Sequence, residues 1–290
     1  MRDYAWDGIH KPFEHQKTTA AFLTLNRRAF CLNEQGTGKT GSVIWAADYL
    51  MKAGLIKRVL VICPLSIMDS AWRNDLFKFA MHRRVDVAYG KPEKRREIIA
   101  SDAEFVVINY DGVEIVARDI MAGGFDLIVV DEANAYKNPS TKRWKVLNNL
   151  IKPHTWLWML TGTPASQSPV DAYGIAKLVN PKGVPQYFTA FRDQVMTKLT
   201  NFRWIPKPNA TETVYKVLQP AIRFKKSECT DLPEVMYQTR EVPLTPQVTK
   251  YYNWLKSQLL IEAVGETVSA VNAAAKLSKL LQISGGAVYT

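Results

Sequence analysis

Residues 33–40 read Asn-Glu-Gln-Gly-Thr-Gly-Lys-Thr, a lysine and a threonine reached through two glycines. That spacing suits a phosphate. Gly36 and Gly38 let the backbone around Thr37 curl so that successive N–H groups converge on anionic oxygens. A helix beginning after them would add its positive end. Lys39 would neutralise the β- and γ-phosphates of a nucleotide, and the Thr40 hydroxyl would reach Mg²⁺. The strict pattern G-x-x-x-x-G-K-[ST] asks for glycine where this chain has Asn33. Asparagine is the non-glycine residue that most readily enters left-handed backbone conformations, which makes the departure tolerable. A glycine turn carrying a solvated lysine would use the same letters.

A phosphate loop that works on ATP needs a carboxylate at the end of a second strand. The run Leu-Ile-Val-Val-Asp-Glu-Ala-Asn, residues 127–134, supplies one. Asp131 would hold the magnesium through water, and Glu132 would orient or deprotonate the attacking water. A helix N-cap followed by a first-turn acid would also account for the pair. Farther on, Leu-Thr-Gly-Thr-Pro, residues 160–164, again follows an apolar run. Its hydroxyls would bond the acidic loop and sense the γ-phosphate, although a plain Gly-Pro turn has the same composition.

The elements that must position these residues alternate along the chain. Residues 29–32, 58–64, 85–90, 104–110, 125–133 and 155–164 read as strands, most of them buried apolar runs. Residues 18–25, 41–54, 66–80 and the stretch after Pro92 read as helices. Strands separated by helices predict an α/β fold, a parallel sheet covered on both faces. From about residue 170 prolines and aromatics scatter among short helical patterns, with a loop-like stretch at 201–213. Residues 238–245 read as one more strand, and 245–264 as a helix with Val248, Tyr251, Tyr252, Leu255 and Leu259 on one face. The expected division is 1–170 for the nucleotide-binding lobe, 171–237 for a helical insertion, and 238–290 for a strand and helix.

Composition bounds the partners. The chain of 290 residues is 47% hydrophobic and 22% charged, with no apolar run near the roughly 18 residues of a spanning helix. No membrane partner is expected. The N-terminus lacks an apolar signal region, which predicts an intracellular protein: in the cytoplasm of a bacterium or phage-infected host, or the nucleus of a eukaryote. Three cysteines, Cys31, Cys63 and Cys229, form no zinc pattern with the four histidines. Lys and Arg exceed Asp and Glu by 38 to 27, a net charge of +11 that suits either a polyanionic partner or a basic solvated surface. Residues 91–96, then Lys142, Arg143 and Lys145, then Arg223, Lys225 and Lys226 are the candidate basic patches.

Taken in order, residues 33–40, 61–72, 108–112, 125–147, 160–181 and 226–247 resemble the motifs of the first RecA-like lobe of Swi/Snf-type motors in helicase superfamily 2. The resemblance implies a RecA-like phosphate-loop lobe with a parallel sheet, a helical insertion, and DNA-dependent ATP hydrolysis that drives movement along duplex DNA, with ATP and Mg²⁺ as cofactors. It makes Phe13 and Gln16 the adenine-recognising element. It gives Gly36, Thr37, Gly38, Lys39 and Thr40 to the phosphates, Asp131 and Glu132 to hydrolysis, and Asn134, Thr161 and Thr163 to coupling. Pro64, Leu65 and Ser66, with Asn109 and Tyr110, fall where DNA contacts are usual. Asn134 departs from the more common histidine or glutamine, which predicts a weaker link to the coupling motif. No arginine-bearing segment of the second lobe follows within the chain. Such arginines are worth about 10³ to 10⁵ in rate. Slow hydrolysis is therefore expected from this chain alone, with the second lobe supplied by a longer chain or a partner. A non-hydrolysing nucleotide sensor that binds nucleic acid and an unrelated small-molecule kinase are the other classes compatible with the phosphate loop.

Overall fold

The computed structural model describes residues 1, 3–6, 10–200, 203–229, 236, 238–264 and 270–285. Its elements in chain order are α1 (Glu14–Leu25), β1 (Arg28–Cys31), α2 (Lys39–Lys52), β2 (Val59–Cys63), α3 (Asn74–Phe79), β3 (Val85–Val87), α4 (Pro92–Ala100), β4 (Phe105–Asn109), α5 (Tyr110–Ile115), α6 (Ala117–Ala122) and β5 (Leu127–Val130). Then come α7 (Lys142–Leu150), β6 (Trp156–Leu160), α8 (Ala172–Val179), α9 (Phe188–Val195), β7 (Met196–Lys198), β8 (Trp204–Pro206), α10 (Ala210–Val217), β9 (Ala221–Ile222), α11 (Lys226–Cys229), α12 (Pro246–Val264) and α13 (Ala270–Ser284).

Seven strands form one parallel sheet in the order β3-β4-β2-β5-β6-β1-β9. The apolar runs of β2, β4, β5 and β6 follow from burial of both faces, since successive side chains point to opposite sides. Phe30, Ile62, Ile108, Val130 and Met159 pack on one face with Val113, Ile120, Leu147 and Ile175 from α5, α6, α7 and α8. Cys31, Val61, Val107, Val129 and Trp158 pack on the other with Leu23, Ile44, Leu50 and Leu76 from α1, α2 and α3. The RecA-like α/β fold expected from the sequence is therefore present. Because the strands are parallel, the loops after β1, β2, β4, β5 and β6 all leave from one edge, where ligands bind in open α/β sheets.

Four expectations change on this frame. Residues 238–245 form no strand: they are irregular and exposed, and Pro243 has no N–H to give a ladder. The helix expected over 66–80 is broken into a 3₁₀ turn at Leu65–Ile67, a π-helical stretch at Met68–Arg73, and α3. The π stretch carries the fully buried Trp72. Of the stretch expected as a loop over 201–213, residues 203–213 are the described part and hold regular structure, since β8 pairs antiparallel with β7 and α10 begins at Ala210. Finally, β9 pairs with β1 in the main sheet, so the segment expected as an insertion returns to the core. Residues 1–232 and 233–290 form two compact units. The second unit contains α12 and α13. Among the described residues no helix is long and apolar enough to cross a membrane.

Candidate active site

The phosphate loop joins β1 to α2, with Gly36 at φ 81° and Gly38 at φ 75° in the left-handed region. Gly38 caps α2, and Lys39 begins its first turn. The positive φ favours glycine at Gly38, and a side chain there would also push the Gln16 amide out of its place against the loop. The Lys39 ammonium bonds the carbonyls of Asn33 (3.0 Å) and Glu34 (3.1 Å), which holds it under the loop.

Asn33 is a correction. Glu132 is the one non-glycine described with a positive φ, so Asn33 does not stand in for glycine by a left-handed backbone. It is buried, and its side chain makes the difference: Nδ2 donates to Thr19 Oγ1 (2.9 Å) and Oδ1 accepts from the Phe224 N–H (3.0 Å). The amide thereby ties the loop to α1 and to the segment after β9.

Gln16 and Phe13 lie at the start of α1 against this loop. Gln16 donates to the Thr37 carbonyl (3.2 Å) and accepts from the Phe13 N–H (3.0 Å). His15, which the sequence reading passed over, places Nε2 2.8 Å from the same Thr37 carbonyl and stacks parallel to the exposed Phe13 ring. Its adjacency to Gln16 was the available signal. The basic segment 223–226 also sits here: the Lys226 N–H bonds Glu34 Oε2 (2.9 Å), and its side chain runs past Gly36.

Asp131 leaves the end of β5, two strands from β1, and is buried. Its Oδ2 accepts from Trp72 Nε1 (2.9 Å) and its Oδ1 from the Glu132 N–H (2.9 Å). Burial pushes the Asp131 carboxyl above the usual carboxylate range; these two donors and the Lys39 charge oppose that, while the Glu132 charge adds to it. Trp72 ends the 61–72 motif, and the sequence alone gives it no role. Only the π-helical stretch reveals its target.

The coupling residues converge. Thr161 is fully buried at the end of β6, and its N–H bonds the Cys31 carbonyl (3.1 Å). Its hydroxyl accepts from the Thr163 N–H (3.3 Å). Asn134, despite its short side chain, donates to the Thr163 carbonyl at 2.7 Å and so connects the acidic turn to the β6 turn.

At the same edge, Leu65 and Ser66 are exposed and Pro64 is half-buried after β2. Asn109 and Tyr110 are directed inward instead. Asn109 Oδ1 accepts from the buried Arg95, which also donates to the Ala88 and Gly90 carbonyls, and the Tyr110 hydroxyl donates to the Asp131 carbonyl (2.6 Å). The basic patches are partly neutralised: Arg143 pairs with Asp111 (2.8 Å), Lys142 with Glu114 (3.3 Å) and Arg96 with Asp119 (3.6 Å). Tyr187 is exposed, Phe188 packs edge-on against Tyr173, and Trp204 lies under the Arg192 guanidinium at 4.0 Å.

Among the described residues no cluster of three or more His, Cys, Asp or Glu could cage a metal. The oxygen donors that the sequence reading offers a cation here, the Asp131 carboxylate and the Thr40 hydroxyl, are of the hard kind that Mg²⁺ takes beside water and substrate phosphates.

Known proteins are similar to this chain. The SNF2-related domain family matches residues 15–284. Protein p41 of Acyrthosiphon pisum secondary endosymbiont phage 1 is 26% identical over 279 residues, covering 88% of this chain and 59% of p41. The uncharacterised ATP-dependent helicase YqhH of Bacillus subtilis is 27% identical over 174 residues, 59% of this chain and 29% of YqhH. The fold is similar to the Sulfolobus solfataricus SWI2/SNF2 ATPase core solved in complex with dsDNA, with a TM-score of 0.66 at 23% identity over 96% of this chain and 59% of that one. The chain thus spans 59% or less of the length of each of these relatives.

Proposed function

The chain belongs to the SNF2-related domain family, and from that premise we propose that it is the ATP-binding half of a DNA-dependent ATPase that couples hydrolysis to movement on DNA. One observation carries the reading. The phosphate loop, the acidic pair and the Thr-Gly-Thr turn leave one sheet edge, and the Asn134–Thr163 bond joins the last two.

In this reading the phosphates of ATP lie on the N–H groups of residues 36–40 and at the start of α2. Lys39 exchanges its carbonyl partners for the β- and γ-oxygens. Thr40 and Asp131 hold Mg²⁺, which when bound neutralises charge developing on those oxygens. Glu132 takes the proton of the attacking water. Phe13 and Gln16 receive the adenine. Asn134, Thr161 and Thr163 transmit the presence of the γ-phosphate. A second RecA-like lobe, in a longer chain or a partner, supplies the arginines that make hydrolysis fast.

DNA is the polyanionic partner, duplex and read without regard to sequence, and it lies against Pro64, Leu65 and Ser66 with the backbone of Asn109 and Tyr110. Contacts to phosphates weaken steeply with salt. The protein acts inside the cell, where ATP and DNA are both present.

The experiment is ATP turnover with and without duplex DNA, together with binding of a fluorescent ATP analogue, for the chain and for Lys39→Ala. We expect analogue binding that Lys39→Ala abolishes and slow turnover. Binding that survives Lys39→Ala, or no binding by the unaltered chain, would overturn the reading.

A further inference from the structure

Glu132 has φ 48° and ψ 57°. Left-handed backbone is costly for a residue with a side chain and persists only where the surroundings over-determine it. The constraint is visible. The Tyr110 hydroxyl donates to the Asp131 carbonyl at 2.6 Å and lies 3.3 Å from the Glu132 carbonyl. Those oxygens belong to the two peptide planes flanking the Glu132 Cα, and the angle between these planes is what φ and ψ describe. A single hydroxyl touching both therefore fixes the turn.

Tyr110 is itself held on two sides. Its ring meets Tyr136 edge-on at 5.8 Å, and the Arg143 guanidinium lies over it at 5.0 Å, anchored in turn by Asp111.

We propose that Tyr110 is the positioning residue for Glu132: its hydroxyl, through the Asp131 and Glu132 carbonyls, holds the acidic turn in the strained form that aims the Glu132 carboxylate. The inference rests on the proposed ATPase reading for what Glu132 does, but not for how the turn is held. Tyr110 follows directly on Asn109 at the end of β4, so one hydrogen bond separates the edge proposed to meet DNA from the base proposed to act on water.

The test uses Tyr110→Phe in the whole chain, which keeps the ring and deletes the hydroxyl. Tyr136→Phe is the control, because the Tyr136 hydroxyl is buried without a hydrogen-bond partner. Amide hydrogen exchange reads the turn, with the Glu132 N–H bonded to Asp131 Oδ1 and the Ala135 N–H to the Glu132 carbonyl as reporters. We expect exchange at residues 132–135 to quicken about tenfold in Tyr110→Phe. We also expect kcat to fall about tenfold, equivalent to about 1.4 kcal/mol, with the KM for ATP and analogue affinity within about twofold. Tyr136→Phe should leave all of these unchanged. Unaltered exchange in Tyr110→Phe would overturn the proposal, as would a joint fall in Tm and analogue affinity, which marks a merely structural hydroxyl. If the unaltered chain binds no ATP analogue while exchange still quickens, the ATPase reading fails and the Tyr110 assignment stands.

Discussion

Two buried aspartates of the 1–232 unit are treated in opposite ways. Asp48, on α2, is sealed from solvent and receives the Tyr4 hydroxyl (2.6 Å), Lys52 (2.9 Å), His82 (2.8 Å) and Arg83 (2.7 Å). Burial alone would raise its carboxyl, but the four donors outweigh that and leave it at about 2. Asp131 is also buried, yet its donors are an indole and a peptide N–H, neither charged, and no described ion pair reaches it. Its carboxyl is raised. A buried carboxylate surrounded by cations is a structural joint. One left short of positive charge is, in the proposed function, where the cation is held, and perturbed carboxylates cluster at functional sites.

The comparison breaks most visibly at Asp131. Replacing it with asparagine removes a proposed metal ligand, so turnover should fall by about 10²- to 10³-fold, the scale of losing one group that stabilises reacting charge. Folding stability should fall by only about 1 to 2 kcal/mol, because the amide keeps one of the two acceptors and strands a neutral donor rather than a buried cation. Steady-state kinetics beside urea denaturation measures both. An Asp131→Asn chain that is unfolded, or fully active, would refute the assignment.

Asp48→Asn should do the reverse. It leaves the Arg83 guanidinium with Glu104 alone (2.6 Å) and uncouples Tyr4, which tie the N-terminal segment and the β3 approach to α2. Breaking a buried pair costs about 3 to 5 kcal/mol; with Lys52 and His82 half-exposed, about 3 kcal/mol is expected. Nucleotide-analogue affinity per folded molecule should not change. A loss of affinity without a loss of stability would place Asp48 in the site and dissolve the contrast.

The same pair predicts the acid limb of stability. The folded Asp48 carboxyl titrates at about 2 against an ordinary 3.8, so its contribution is present above the ordinary value and disappears as pH falls toward 2. The linked free energy is roughly 2 kcal/mol. Urea titrations between about pH 5 and pH 2 should show the unaltered chain losing that much more than Asp48→Asn. Parallel curves would mean that the four donors do not set the Asp48 carboxyl.

Much of this frame was legible in the sequence. Runs such as Val59–Cys63 and Phe105–Asn109 declare strands buried on both faces, and glycines, acids and threonines that follow such runs must share an edge once the strands are parallel. Contacts that depend on strand order were not legible. Tyr110 reaches Asp131 across β2, and Trp72 reaches it from a π-helical stretch that no periodicity announces. Residues 238–245 show the converse error, in which a strand-like composition finds no edge to pair with. Asn33 was noticed for the wrong property, its backbone tolerance rather than its amide.

That amide gives the smallest and sharpest test. Asn33 lies inside the candidate site, yet like Asp48 it is a buried polar group with its partners in place, Thr19 and Phe224. If satisfaction rather than location marks a structural residue, Asn33→Gly should not improve the phosphate loop even though it restores the strict motif. Deleting the amide takes the acceptor from the Phe224 N–H, while the Thr19 hydroxyl keeps its bond to the His15 carbonyl (2.7 Å); the loss costs about 1 to 2 kcal/mol, and glycine adds conformational freedom to the unfolded chain. Thermal or urea unfolding should record that loss, with analogue affinity equal to or below that of the unaltered chain. An Asn33→Gly chain that binds more tightly at unchanged stability would show that the amide restrains the loop for function, and that satisfied polar groups in the site cannot be read by the rule that holds at Asp48.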